Sequence, residues 1–238
     1  MIFAAGLGTR LYPFTIDKPK ALVEIAGKTL LQMAIEKVGN AGYNDLVVNV
    51  HHHGNQIIDF LERNKNFGLN ISISDEQDQL LDTGGGIKKA ASYLSGSGPF
   101  LVYNVDVLSN IDLDVLRSYH MKRGGLATLA VRDRKTARYL VFNEDMLLTG
   151  WKNINTGAKK IMRTSVTQKI LAFSGIQIID PSIFNKITES GSFSLISLYL
   201  RLAETQSIFG YSDTSSLWMD LGKPEQLKEA EKYVNSHL

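Results

Sequence analysis

Apolar positions along the first half of the chain alternate between short runs and helical spacing. "IFAA" (Ile2 to Ala5) is an apolar run that opens into glycines, and it is short for a first central strand, which usually has five or six residues. Leu30, Leu31, Ala34, Ile35 and Val38 then keep a helical period until Gly39 and Gly42 interrupt it. "LVVNV" (Leu46 to Val50) reads as a buried strand, "NQIIDFLERN" as an amphipathic helix, "NISIS" (Asn70 to Ser74) as an alternating strand and "GIKKAASYL" as a helix. "PFLVYNVD" (Pro99 to Asp106) is a strand that ends on a carboxylate. The order β-α-β-α-β-α-β predicts an α/β fold with a doubly wound, mainly parallel sheet, whose site lies beyond the carboxyl ends of the strands.

From Leu126 the β signals crowd together. "LATLAV", "RYLVF", "MLLTG" and "ILAFSGIQII" are separated by turn-like segments, which predicts additional antiparallel strands in the C-terminal half rather than a second domain. Helical patterns return at "PSIFNKI" and "SLISLYLRLAETQ", "SLWMD" is a short strand, and "PEQLKEAEKYV" is an amphipathic helix with Pro224 in its first turn. The expectation is one domain over residues 1–238, with halves at 1–125 and 126–238.

Composition narrows the function classes. A chain of 238 residues with 44% hydrophobic positions can bury one large core. A formal charge of +2 without a clustered basic stripe argues against a nucleic-acid partner. The absence of cysteine removes disulfides and thiolate metal sites, leaving hard ions bound by oxygen as the accessible metal chemistry. With neither a signal-peptide pattern nor an apolar run near 20 residues, a cytoplasmic protein without a membrane partner is expected.

The segment "AAGLGTRLYPFTIDKPKAL" (Ala4 to Leu22) carries the candidate chemistry. It does not fit the Walker pattern, and it fails the dinucleotide fingerprint because Leu11 replaces the third glycine and the second strand ends in Asn49, Val50 and His51. A glycine turn after the first strand could instead offer backbone amides to phosphate oxygens, with Arg10 and Lys20 as cations. On the loop alone, an ordinary β-to-α turn with solvated charges stays open. "HHH" (His51 to His53) reads as a loop, because consecutive residues leaving a strand point in different directions. The basic run "GAKKIMR" (Gly157 to Arg163) reads as a solvated hairpin edge.

The longer stretch "AAGLGTRLYPFTIDKPKALVEIAGKTLL" resembles the signature of the sugar-1-phosphate nucleotidyltransferases: a glycine loop with Gly-Thr-Arg, then Pro-Lys-x-Leu, then a glycine turn into a helix. "LLDTGGGIKKA", "NVDVL", "FSGIQIID" and "SLWMDLGKPEQLKEAE" follow in the order of that family. The resemblance implies the Rossmann-like nucleotidyltransferase fold, with a nucleotide-binding first half and a sugar-phosphate-binding second half. It implies nucleotide binding by Ala4, Ala5, Gly6, Gly8, Thr9, Asp82, Thr83 and Gly84, and phosphate handling by Arg10 and Lys20. Asn104, Lys152, Ser174 and Gly175 would face the sugar, and Asp106 and Asp220 would bind Mg²⁺. From the residues alone, Gly84 to Gly86 also fit a loop entering a helix with Asp82 or Thr83 as N-cap, and Ser174 and Gly175 fit a bulge in a long strand.

The implied substrates are a nucleoside triphosphate and a sugar 1-phosphate. UTP with an N-acetylated amino sugar comes first, and GTP with a mannose- or heptose-type sugar second. Phosphocholine cytidylyl transfer and a non-catalytic regulatory member are the alternatives, and the implied assembly is a monomer or a homodimer. Two departures stand out: the Glu-Lys-Pro of larger members is missing, with Lys152 as its substitute, and Val105 replaces the glycine that often precedes the first metal aspartate.

Overall fold

The computed structural model describes residues 1–237. In chain order the elements are β1 (Ile2–Phe3), β2 (Glu24–Ile25), β3 (Lys28–Thr29), α1 (Leu30–Asn40), β4 (Asp45–Val50), α2 (Gly54–Arg63) and β5 (Asn70–Asp75). Next come α3 (Asp82–Lys89), α4 (Ala91–Leu94), β6 (Phe100–Asn104), β7 (Val107–Ser109), α5 (Leu113–Arg123), β8 (Ala127–Arg132), β9 (Arg138–Phe142), β10 (Leu148–Asn153) and β11 (Lys159–Ile161). The chain continues with β12 (Lys169–Ile179), α6 (Leu195–Leu202), β13 (Ile208–Ser212), β14 (Trp218–Asp220) and α7 (Pro224–His237). Two compact units result: Met1–Leu80 with Tyr103–Ile111 and Leu217–Leu238, and Leu81–Val102 with Asp112–Ser216.

In the first unit β1 lies parallel to β4 on one side and to the end of β6 on the other, pairing Ile2 with Val48 and Tyr103, and β5 continues parallel beyond β4. The chain thus runs outward from β1 through β4 and β5 and returns to the opposite side of β1 as β6. That reversal is a topological switch point, and ligands of open α/β sheets bind beyond the strand ends there. Thr29 caps α1 by accepting from the Gln32 amide at 3.0 Å, and the apolar stripe from Leu30 to Val38 is buried, as its spacing predicts. β7 and β14 form a separate antiparallel ladder in which Val107 faces Asp220.

In the second unit β12 pairs antiparallel with both β8 and β9, β10 lies between β9 and β11, and β13 runs parallel to β8. β12 shifts register between Phe173 and Gln177, and Gly175 sits in this bulge with φ 78°. The bulge expected there from the residues alone is present. The structure differs in detail from the sequence expectations, for example by splitting "GIKKAASYL" between α3 and α4. "PSIFNKI" forms a 3₁₀ turn (Pro181–Lys186) led by Pro181 and capped by Asp180. β13 was not anticipated: "IFGYS" runs on from the α6 pattern without a Gly or Pro break. α5 was also not anticipated, because its buried stripe is only Leu113, Leu116 and His120, and its ends carry the order. Asp112 accepts from the amides of Asp114 and Val115, and Gly124 closes the helix in the left-handed region.

Candidate active site

The loop that leaves β1 begins with a buried polar relay. The Ala4 amide donates to Asn49 Oδ1 at 2.7 Å, and Asn49 Nδ2 donates to Glu76 Oε1 at 2.8 Å. Asn49 and Glu76 are both buried, so each supplies a partner that water cannot. The relay thereby fixes where the β1 loop starts, from the carboxyl ends of β4 and β5. His51 extends the network through a 2.7 Å bond between Nδ1 and the Glu76 carbonyl, which gives the histidine segment a loop-holding role.

Two glycines in the loop differ in kind. Gly8 has φ 67°, and a Cβ built there would stand 3.0 Å from both Lys20 Cβ and Thr15 Cγ2. Its carbonyl accepts from the Thr15 hydroxyl and the Leu11 amide, each at 2.9 Å, starting the 3₁₀ turn Thr9–Leu11. Gly6 is exposed, and a Cβ there meets nothing within 4 Å. The fold therefore requires Gly8, whereas packing within the protein gives no reason for Gly6.

Lys20, in the 3₁₀ turn Lys20–Leu22, is buried, and its ammonium pairs with the Asp106 carboxylate. Asp106 occupies the tight turn between β6 and β7, which the Tyr103 hydroxyl closes by donating to the Val107 carbonyl at 3.0 Å. Burial, reinforced by the negative charge of Asp106, pushes the Tyr103 phenol far above its ordinary pKa, so it serves as a fixed neutral donor. Leu221 N donates to Asp106 O at 2.8 Å, which brings the end of β14 beside the same turn. Asp220 Oδ1 accepts from Gly222 N at 2.9 Å. A Cβ on Gly222 would stand 2.7 Å from Asp220 Oδ1 and 2.9 Å from Arg10 Nη2, so this glycine leaves the room in which guanidinium and carboxylate approach.

Arg10, Lys20, Asp106 and Asp220 thus lie together in the first unit at the carboxyl ends of β1 and β6. Ala4, Ala5, Gly6, Gly8 and Thr9 are in the same unit, as is Asn104, which pairs with Phe3. Val105 is buried and donates its amide to Phe3 O at 3.1 Å, so the turn keeps its sheet pairing without a glycine. Sequence reasoning missed the Asn49 and Glu76 relay. Its only signal was a polar residue interrupting the apolar run of β4. Gly222 was missed as well, although it directly follows the recognised "WMDL".

Asp82, Thr83, Gly84, Lys152, Ser174 and Gly175 belong to the second unit. Gly84 to Gly86 lie inside α3, not in a loop before it, and the N-cap is Leu81 rather than Asp82 or Thr83. Asp82 takes φ 56° and accepts from the Thr83 amide at 2.5 Å. Close packing accounts for two of the glycines: a Cβ on Gly84 would stand 2.4 Å from the Phe193 ring, and one on Gly85 2.5 Å from Gly191 O. Gly84 N and Thr83 Oγ1 also hold the segment before α6, bonding Phe193 O at 2.8 Å and Leu195 N at 2.9 Å.

A cavity of about 540 Å³ opens in this unit beside β12, with Phe173, the neighbour of Ser174, in its wall. Trp151 and Asn153 of β10 line it. Lys152, between them, does not. Ser174 is buried within β12.

An open sheet with a glycine loop, two cations and two carboxylates at its switch point defines a nucleotide-binding α/β protein of the phosphoryl-transfer type. A family profile described as nucleotidyl transferase matches residues 1–237, and the chain belongs to that family. It is 34% identical to the N-acetylmuramate alpha-1-phosphate uridylyltransferase of Caulobacter vibrioides, an alignment covering 97% of this chain and 94% of that protein. It is 29% identical to mannose-1-phosphate guanyltransferase 2 of Candida glabrata, over 94% of this chain and 61% of that protein. The structure of HddC from Yersinia pseudotuberculosis complexed with GMP-PN superposes with a TM-score of 0.78 at 22% identity, covering 98% of this chain and 97% of that one. The protein is a nucleotidyltransferase, as the sequence resemblance implied, and its fold is the Rossmann-like one.

Proposed function

We propose that the protein transfers a uridylyl group from UTP to an N-acetylated amino sugar 1-phosphate in a Mg²⁺-dependent reaction, releasing pyrophosphate. The observation that carries this reading is the convergence of Arg10, Lys20, Asp106 and Asp220 at the β1–β6 switch point. An unesterified oxygen of the sugar phosphate forms a bond to the α-phosphorus while the bond from that phosphorus to the bridging β-phosphate oxygen breaks, and pyrophosphate leaves with the electron pair. A phosphate monoester is largely dianionic at neutral pH, its second pKa being about 6, so the nucleophile needs no general base. The work left to the protein is to gather polyanions and neutralise the charge on the leaving group.

Arg10 has the planar fork suited to the β- and γ-phosphate oxygens, and the exposed loop at Gly6 lets the nucleotide approach the backbone. Lys20, held by Asp106, presents a buried ammonium to the α-phosphate and the acceptor phosphate. Asp106 and Asp220 fit a magnesium ion, since both donors are carboxylate oxygens on adjoining turns. When bound, the ion would supply positive charge to the phosphates. The uridylyltransferase relative favours uracil. The guanyltransferase relative supports the second reading, GTP with a mannose-type sugar phosphate.

Initial rates with each nucleoside triphosphate against a panel of sugar phosphates test the reading. Pyrophosphate release should be highest with UTP and fall by about a hundredfold or more in Asp106→Asn. Unchanged turnover in that variant would remove Asp106 from the site.

A further inference from the structure

We infer that Lys20 is the resident counter-ion of Asp106 and keeps a divalent cation off that carboxylate until a nucleotide phosphate draws the ammonium away. The inference rests on the metal reading of Asp106 and Asp220 above and concerns the first unit alone. Two cations and two carboxylates are set against each other there. Lys20 Nζ donates to Asp106 Oδ2. Arg10 and Asp220 approach over Gly222, where one added Cβ would stand 2.9 Å from Arg10 Nη2 and 2.7 Å from Asp220 Oδ1. Both groups assigned to phosphate therefore face the two groups assigned to the ion, and their formal charges cancel.

The two couples differ in strength. The side chains of Lys20 and Asp106 are 10% and 21% exposed, so water and salt screen that pair weakly, whereas Arg10 is exposed and its attraction is damped. A dication arriving at Asp106 meets an ammonium already bonded to one of the two carboxylate oxygens, and like charges at that range repel strongly in a partly buried site. A phosphate changes the balance, because it offers Lys20 another anionic acceptor and leaves the Asp106 carboxylate to the metal. Only a side chain has to move. The Lys20 turn is closed by Leu22 N donating to Pro19 O at 2.9 Å and Val23 N donating to Lys20 O at 3.1 Å, and the Asp106 carbonyl accepts from Leu221 N at 2.8 Å. Both backbones are pinned, and the flexible four-carbon stem of the lysine is the part that swings. Nucleotide and metal then bind with positive coupling, and the metal binds weakly by itself.

The test titrates nucleotide-free protein with Mn²⁺, which takes the same oxygen ligands as Mg²⁺ and whose paramagnetic resonance signal reports the free ion. The parent should bind it with a Kd weaker than about 100 µM, and Lys20→Gln should bind it about tenfold tighter or more. A lysine that merely supported the fold would give the opposite sign, since its loss would loosen the site. Arg10→Gln should stay within about threefold of the parent, and a melting curve of each variant shows that it folds. Mn²⁺ binding in folded Lys20→Gln that is unchanged or weaker overturns the inference alone. A parent Kd tighter than about 100 µM does the same and needs no variant. Adding Asp106→Asn to Lys20→Gln should return the affinity to the parent level or below. Tight binding that persists in this double variant would put the metal elsewhere and refute the metal reading and the inference with it.

Discussion

Gly6 and Gly8 are two residues apart in one loop, and a single added methyl should move stability in opposite directions at the two. At Gly8 the backbone is left-handed (φ 67°), and an L side chain there costs about 1–2 kcal/mol. The new methyl would also stand 3.0 Å from Lys20 Cβ and Thr15 Cγ2. Neither neighbour yields freely, because Thr15 is tied to the Gly8 carbonyl and Lys20 to Asp106. That crowding adds about 1 kcal/mol, and the lower entropy of the unfolded alanine chain returns about 0.5 kcal/mol. Gly8→Ala should therefore lose about 2 kcal/mol, lowering Tm by about 4–8 °C in a chain of this size. Gly6 lies outside the left-handed region and has open space, so only the unfolded-state term remains and Gly6→Ala should gain about 0.5 kcal/mol. Because the same methyl stands where the nucleotide would meet the backbone, Gly6→Ala should raise the KM for the triphosphate by about tenfold. Urea denaturation and initial rates on both variants check this. Equal destabilisation in the two variants, or a parental triphosphate KM in Gly6→Ala, would refute the reasoning.

Three further outcomes follow from the same geometry. Gly222→Ala should push Arg10 and Asp220 apart and lower kcat by at least about tenfold with a stability loss near 1 kcal/mol, read by steady-state kinetics beside a melting curve. Asn49→Ala removes the shared partner of the Ala4 amide and Glu76, two buried groups, and should cost about 2–3 kcal/mol in urea denaturation. Buried His120, with Nδ1 3.0 Å from Thr128 Oγ1, has its pKa lowered below 6.5 by desolvation, partly opposed by the charge of Asp180. The unfolded chain then binds the extra proton first, so His120 leaves stability intact at neutral pH and erodes it as pH falls below about 6.5; His120→Gln should flatten that slope in denaturation curves taken across pH.

How much of this was legible in the sequence depended on whether the determinants were local. The apolar stripe of α1 and the β-rich runs of β4, β9 and β12 lie where periodicity placed them, because burial on one face is written directly into spacing. Arg10, Lys20, Asp106 and Asp220 were legible through motif order, and the parallel strands of the first unit explain why such distant residues meet. The glycines of "DTGGG" were misplaced into a loop. Their requirement comes from Phe193 and Gly191, more than a hundred residues away, which no local pattern reveals. α5 escaped because caps rather than a broad apolar face mark it.

The central claim is tested most directly by following pyrophosphate and nucleotide-sugar together, with UTP and an N-acetylated amino sugar 1-phosphate, in magnesium and after chelation. Equimolar formation of both products, lost on chelation and in Asp220→Asn, is the expected result. Absence of pyrophosphate with every pairing of triphosphate and sugar phosphate in magnesium would contradict it.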